Sequence, residues 1–235
     1  MSDRKVRMGI DVGGTHTKAV AIDNATHEII GKSSVEKQHM MTRQGVATGV
    51  VQAFQNCLRE NGIDPKDVIF VAHSTTQATN ALIEGDVANV GVIGVGPKGV
   101  GGWIAKAQTN MKDINLGSGR FIRLKNRFIC DENLSDQLVT DTIKSLVGDG
   151  AQVIVASESY GVDDMENETG ICKIAKDMGL EATAASEITK LYGLTRRTRT
   201  AAINASILPK MLNTANSTEQ SVKAPGRSSS DDHER

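Results

Sequence analysis

"GIDVGGTHTKAVAID", residues 9–23, decides how this chain is read. Apolar runs flank a Gly-Gly-Thr core, and Asp11 stands two residues before the first glycine. The segments "VRMGID" and "KAVAID" with a glycine turn between them predict a β-hairpin from Val6 to about Asp23. "EIIGKSSVE" (28–36) supplies a third strand, so the chain is expected to open on an antiparallel meander.

The turn has a chemical reading. Phosphate groups need close, dense hydrogen-bond donors. Gly13 and Gly14 let backbone N–H groups approach an anion with no Cβ in the way. Thr15 and Thr17 would add hydroxyls and Lys18 a positive charge. Asp11 repels a bare phosphate, but it fits beside one if Mg²⁺ lies between them, held through water. Asp-x-Gly-Gly-Thr on a hairpin therefore reads as a Mg–nucleotide phosphate site with Asp11 as its metal residue. It is not a P-loop, which requires Gly-x₄-Gly-Lys-Ser/Thr and a following helix. An ordinary glycine hairpin that binds nothing has the same spacing.

Working outward, a helix is expected from about Thr42 to Asn61, with Val46, Val50, Phe54 and Cys57/Leu58 as its apolar stripe and Gly62 as its stop. "VIFVAHS" (68–74) reads as a fully buried strand, "TTQATNALIEG" (75–85) as a helix, and "VANVGVIGV" (87–95) as another strand. "FIRLKNRFI" (121–129) adds a strand or hairpin. Helices at 133–147 and 164–178 enclose a strand at 152–157, and "EATAAS" (181–186) follows. A last helix begins near Arg197 and should kink or end at Pro209. The fold class is α/β, a meander followed by alternating strands and helices in a mixed sheet. Residues 1–212 form the folded part, with lobes at 1–130 and 131–212. Residues 213–235 are too polar to offset their ordering entropy and are expected to be disordered.

Composition narrows the function. The net charge of −1 offers no clustered basic surface for nucleic acid. Cys57, Cys130 and Cys172 are an odd, widely spaced set, which argues against a disulfide framework or a metal site. No signal-peptide core and no membrane span is visible, so a cytoplasmic setting is the expectation.

"GIDVGGTHTKAV" resembles the first phosphate motif of the actin-like ATPase superfamily, which includes hexokinases and has a ribonuclease H-like fold. Within it, "VAHSTTQATNALIEG" (71–85) and "LTRRTRTAAINASILP" (194–209) are similar to stretches of the hydantoinase/oxoprolinase family, N-terminal region. The three motifs occur in the family's order, and the resemblance covers roughly residues 4 to 212. It implies ATP-dependent opening of a cyclic amide, of hydantoin or 5-oxoproline type, with ATP and Mg²⁺ as cofactors. It also implies that Asp11, Thr75, Thr76 and Asn80 serve the chemistry, while His73, Thr79, Arg197 and Asn204 meet substrate. Bland readings accompany these residues: a core histidine, helix-capping hydroxyls, and a solvated charge run at 196–199. The chain departs from the family at His16, Lys18, Ser74 and Ser206. Lys18 is closer to small-molecule kinases of the superfamily, which stay open as an alternative. A second Asp-x-Gly-Gly-Thr motif is not found, so a C-terminal half or second subunit is expected to complete the cleft; a truncated, non-catalytic nucleotide-binding subunit is the other alternative.

"GVGPKG" (94–99) fits Gly-x-Gly-x-x-Gly behind a strand. Pro97 and the continuing Val-Gly-Gly are expected to spoil the helix start a dinucleotide site needs, leaving a flexible loop over a cleft.

Overall fold

The computed structural model describes residues 4–13, 15–36 and 43–223, without the side chains of 43–48, 73–75, 77, 214 and 217–223. It divides into two compact units, 1–79 with 211–235, and 80–210. The chain passes from one unit to the other at 79/80 and again at 210/211; the boundary expected at 130/131 lies inside the second unit.

The first unit is built on β1 (Val6–Val12), β2 (His16–Asp23), β3 (Ile29–Glu36) and β4 (Val68–Thr75), in the order β3-β2-β1-β4. The first three strands form the expected meander, and β4 adds to β1 in parallel. Strict alternation puts Val6, Met8, Ile10 and Val12 of β1 on one buried face. α1 (Arg43–Glu60) covers that face with Val50, Ala53, Phe54, Cys57 and Leu58, the tetrad-spaced stripe legible in the sequence. Gly62 then takes a φ of 62°, where a side chain would be strained. One expectation fails here. β4 is an edge strand of this sheet rather than a fully buried one, and Ile69 and Phe70 are 51% and 56% exposed. A continuous apolar run does not reveal how many of its faces are covered.

α2 (Gln77–Glu84) follows β4 and ends at Gly85. The second unit then holds a parallel sheet of β5 (Val90–Gly96), β8 (Leu124–Cys130), β9 (Val153–Glu158) and β10 (Glu181–Ala184), in the order β10-β9-β5-β8. A small hairpin of β6 (Ile114–Gly117) and β7 (Arg120–Ile122) precedes β8. On one face, α4 (Asp136–Gly148) and α5 (Glu166–Asp177) bury Val139, Ile143, Leu146, Ile171 and Ala175 against Ile93, Val95 and Ile154. On the other, α7 (Leu194–Lys223) sets Ala201, Ala202 and Ala205 against Val90, Val92, Val153 and Val155. Each large aliphatic buried in these layers contributes about 1.5–3 kcal/mol. A short α6 (Ala185–Ile188) links β10 to the loop before α7.

α7 is longer than expected. It passes through Pro209, which has no N–H for the Ala205 carbonyl, and continues to Lys223. With no glycine or second proline between 210 and 223, adding residues to an existing helix is easy, whatever their polarity. The disordered tail expected at 213–235 is thus helical over 213–223, and its remainder, 224–235, lies outside the described residues.

Cys172 is buried against the β9 layer, and desolvation pushes its thiol up to about 12, with a smaller opposing pull from Lys176. Burial raises Cys57 as well. Since the thiolate is the nucleophile, both are expected to resist alkylation by iodoacetamide at pH 8 in the native protein, with half-buried Cys130 labelled first. Mass mapping that found Cys172 labelled as fast as Cys130 would contradict this packing.

Candidate functional site

The hairpin turn is closed by Gly13, whose N–H donates to the His16 carbonyl at 3.0 Å. A Cβ on Gly13 would lie 3.1 Å from that same oxygen, which is why glycine stands there. The closure also engages the Gly13 amide, one of the two expected to face an anion. Gly14 lies outside the described residues. Pairing fixes the rest: Asp11 stands opposite Lys18, and Val12 opposite Thr17. The first pair is exposed and the second buried. Asp11 and Lys18 therefore share one open face, with exposed Thr15 at its end. The Thr15 hydroxyl lies 3.1 Å from His16 Nδ1.

Thr17 belongs to the other face. It is fully buried under α1, where a Cβ on Gly49 would sit 3.3 Å from its hydroxyl, and that hydroxyl has no partner among the described residues. The expected phosphate-binding role is corrected by the alternation of the strand: the residue next to Lys18 must point away from it. Thr17→Val, which keeps the shape and removes an unsatisfied hydroxyl, is expected to leave nucleotide binding unchanged and stability level or raised by about 1 kcal/mol. A loss of binding in titration calorimetry would restore Thr17 to the site.

β4 brings the second motif alongside. Its parallel register sets His73 beside Ile10, Ser74 beside Asp11 and Thr75 beside Val12. The His73, Ser74 and Thr75 side chains lie outside the described residues. Thr76 is described: its N–H and its hydroxyl both reach the Val12 carbonyl, at 3.4 and 3.3 Å. The carboxyl ends of two parallel strands thus finish together, one carrying Gly13 and the other Thr75–Thr76. Open α/β sheets place ligands at such ends. Thr79 is exposed on α2.

A fit to Mg²⁺ can be judged from the donor set. Asp11 is exposed and makes no hydrogen bond or ion pair among the described residues, and these residues contain no cluster of three metal-ligating side chains. One free carboxylate is what Mg²⁺ takes when it keeps most of its water. The residues fit the ion.

The remaining candidates lie in the second unit. Asn80 is half-buried on α2, and Asn204, half-buried on α7, makes no side-chain hydrogen bond among the described residues. Arg197 is fully buried. Its guanidinium donates to the carbonyls of Leu191, at 2.7 Å, Tyr192, at 3.4 Å, and Glu158, while Nε has no partner among the described residues. Desolvation lowers its pKa, against the pull of Glu168. Beside it, the Thr198 and Ser157 hydroxyls lie 2.7 Å apart. Neither the substrate role nor the solvated-charge reading describes Arg197; it ties the loop before α7 to the end of β9.

"GVGPKG" is also corrected. A helix does open directly behind it, α3 (Val100–Thr109), with Gly99 as its cap. The glycines serve packing: a Cβ on Gly96 would come 2.8 Å from that of Ala105, and one on Gly94 would run into the Thr109 hydroxyl. One on Gly102 would overlap the Pro97 carbonyl oxygen. Gly102→Ala is therefore expected to cost about 1–3 kcal/mol, measured by urea unfolding; a neutral result would mean that the turn yields freely. Sequence reasoning passed over Glu158 and Glu168. Glu168 sits on the apolar side of α5, fully buried, and only a carboxylate out of place on the Ile171–Ala175 stripe signals it.

The family described as "Hydantoinase/oxoprolinase N-terminal region" matches residues 7–179. No curated protein matches the chain by sequence. The solved structures that share its fold include the following two. One is a nucleotide-free structure of acetone carboxylase, from work on ATP-dependent acetone carboxylation, at 17% identity and a TM-score of 0.63 over 94% of this chain and 34% of that one. The other is the ATP-dependent caprolactamase from Pseudomonas jessenii, at 16% identity and a TM-score of 0.55, again over 94% of this chain and 34% of that one. The chain spans about a third of each (34%). No helix among the described residues is long and apolar enough to cross a membrane. With the meander, the parallel strands behind it and most of its length matched, the chain belongs to the hydantoinase/oxoprolinase family, in its N-terminal region.

Proposed function

We propose that this chain is the nucleotide-binding portion of an ATP-dependent cyclic-amide hydrolase that opens hydantoin- or 5-oxoproline-type rings. The observation that carries the reading is the meeting of two motifs at one sheet edge: Asp11 and Lys18 on the open face of the hairpin, and Thr75–Thr76 at the end of β4 alongside. Asp11 would hold Mg²⁺ through water, Lys18 would face phosphate charge, and the Thr15 amide would donate to a phosphate oxygen. The chemistry Mg²⁺ supplies when bound is neutralisation of phosphate charge. Phosphoryl transfer asks a protein mainly for positioning and electrostatics, which a rigid strand edge provides. An amide resists hydrolysis because its nitrogen lone pair, shared into the carbonyl, leaves the carbon a weak electrophile and the nitrogen a poor leaving group; moving the γ-phosphoryl group from ATP onto the amide oxygen, with ADP leaving, would draw that density away, so that water adds to the ring carbon, the C–N bond breaks with its nitrogen taking a proton, and the phosphate is then lost to a second water. A further segment or subunit would close the other wall of the cleft, in keeping with the share of the two solved relatives that this chain spans.

Thermal unfolding tests the binding half of this reading. At 100 times its Kd, Mg-ATP is expected to add about 2.7 kcal/mol, a rise of about 5–10 °C in Tm that EDTA removes. An unmoved Tm at millimolar Mg-ATP would count against it.

A further inference from the structure

A cavity of about 280 Å³ opens in the second unit, between the end of α3, the loop 110–114 and the first turns of α7. Side chains that are spent on backbone groups fix its wall. Asn126 Oδ1 accepts the Met111 N–H at 3.3 Å, and Asn126 Nδ2 donates to the Met111 carbonyl at 2.8 Å. Asp113 Oδ1 accepts the Leu124 N–H at 2.8 Å, and Arg123 Nη1 donates to its Oδ2 at 2.7 Å. The Thr195 hydroxyl donates to the Gln108 carbonyl at 3.2 Å, tying the start of α7 to α3. A loop pinned in this way holds its outward side chains in place without engaging them.

On that frame two cations are left over. Lys112, from the loop, and Arg199, from α7, both line the cavity, and neither makes a hydrogen bond or ion pair among the described residues. Asp113 is the carboxylate among the lining residues, and its charge is already met: the Leu124 N–H and the Arg123 guanidinium hold its carboxyl below the usual range. Other cations of this unit do find carboxylates, as Arg127 does with Asp149 and Lys98 with Glu132. The side-chain amides of Gln108 and Asn110 face the same space without a partner among the described residues, and Met111 and Ile114 give it an apolar part.

Two positive charges brought to one hollow from different elements repel each other unless an anion lies between them. A guanidinium offers a planar fork that matches carboxylate or phosphate, and an ammonium adds a point charge that suits either. The volume is near the lower end for small-molecule sites, about 300 Å³, and two cations are too few for a nucleic-acid track. We propose that this cavity binds a small organic dianion, a dicarboxylate or a phosphate monoester, with Lys112 and Arg199 sharing its charge. The Gln108 and Asn110 amides add donors, and Met111 and Ile114 meet its carbon body. The site lies wholly within the second unit and uses no metal, so it stands apart from the nucleotide reading.

Titration calorimetry of the full chain at constant ionic strength, with succinate, glycerol 3-phosphate and acetate, tests this. At least one of the two dianions is expected to bind saturably and at least about tenfold more tightly than the monoanion acetate, and the tighter of the two identifies the anionic group. Arg199→Gln and Lys112→Gln should each weaken that dianion by about tenfold or more, with Tm little changed because both side chains are exposed. Arg196→Gln, exposed on the same helix but outside the cavity lining, should bind as the wild type does, which separates a site from general attraction to positive charge. Binding should persist in EDTA, unlike that of Mg-nucleotide, so failure here and failure of the phosphate reading are distinct results. Acetate as tight as the dianions, unchanged affinity in Arg199→Gln, an equal loss in Arg196→Gln, or no saturable binding of either dianion at millimolar concentration would overturn the proposal.

Discussion

Asp11→Asn is expected to weaken Mg-dependent binding of a non-hydrolysable ATP analogue by about 10- to 100-fold, the size of effect seen when groups around a metal are removed. The argument is electrostatic. Asp11 is exposed, unpaired among the described residues, and opposite Lys18 on the open face of the hairpin. Asparagine keeps its shape but removes the charge that would attract a hydrated divalent cation. Because the side chain is exposed and makes no hydrogen bond or ion pair among the described residues, Tm without nucleotide should move by less than about 2 °C. Calorimetric titrations with Mg²⁺ and with EDTA separate the metal-dependent part. Equal affinity in wild type and variant would remove Asp11 from the site.

The second large effect is on stability. Arg197→Met is expected to cost about 3–5 kcal/mol, because the change strips donors from the carbonyls of Leu191, Tyr192 and Glu158 and leaves Glu168 buried without the nearby positive charge. In a chain of this size that is a fall of about 10 °C or more in Tm. Arg197→Lys should recover only part, since an ammonium lacks the planar fork that reaches the end of β9 and the loop before α7 together. A loss below about 1 kcal/mol in urea unfolding would show that the guanidinium does not hold this corner.

These two residues show what the sequence can disclose. The exposed place of Asp11 is legible because a hairpin pairs residues across its turn by count, so the open face and the buried face follow from alternation. The same alternation excludes Thr17, and a strict reading of the strand period could have found that in advance. Periodicity located α1, α4 and α5 because their cores are aliphatic stripes of ordinary spacing. It misjudged β4, whose apolar run is covered on fewer sides than its composition suggests, and α3, where glycines that resemble a flexible loop are instead the space that lets the helix lie on β5. The length of α7 is not legible because a polar stretch such as 213–223 reads as disorder from its composition, whereas a helix already formed extends through residues of any polarity. Arg197 and Glu168 were the least legible. A charged residue is presumed solvated until its partners are known, and theirs are backbone groups, which no residue pattern announces.

The central claim is that the 11–18 hairpin and the end of β4 together hold the phosphates of a Mg-bound nucleotide. Amide chemical-shift mapping of ¹⁵N-labelled protein, titrated with Mg²⁺ and a non-hydrolysable ATP analogue, tests it residue by residue. The account predicts saturable shifts concentrated at residues 11–18 and 74–77, lost when Mg²⁺ is chelated. Saturable shifts that leave those two segments unmoved, or no shifts at millimolar nucleotide, would contradict it.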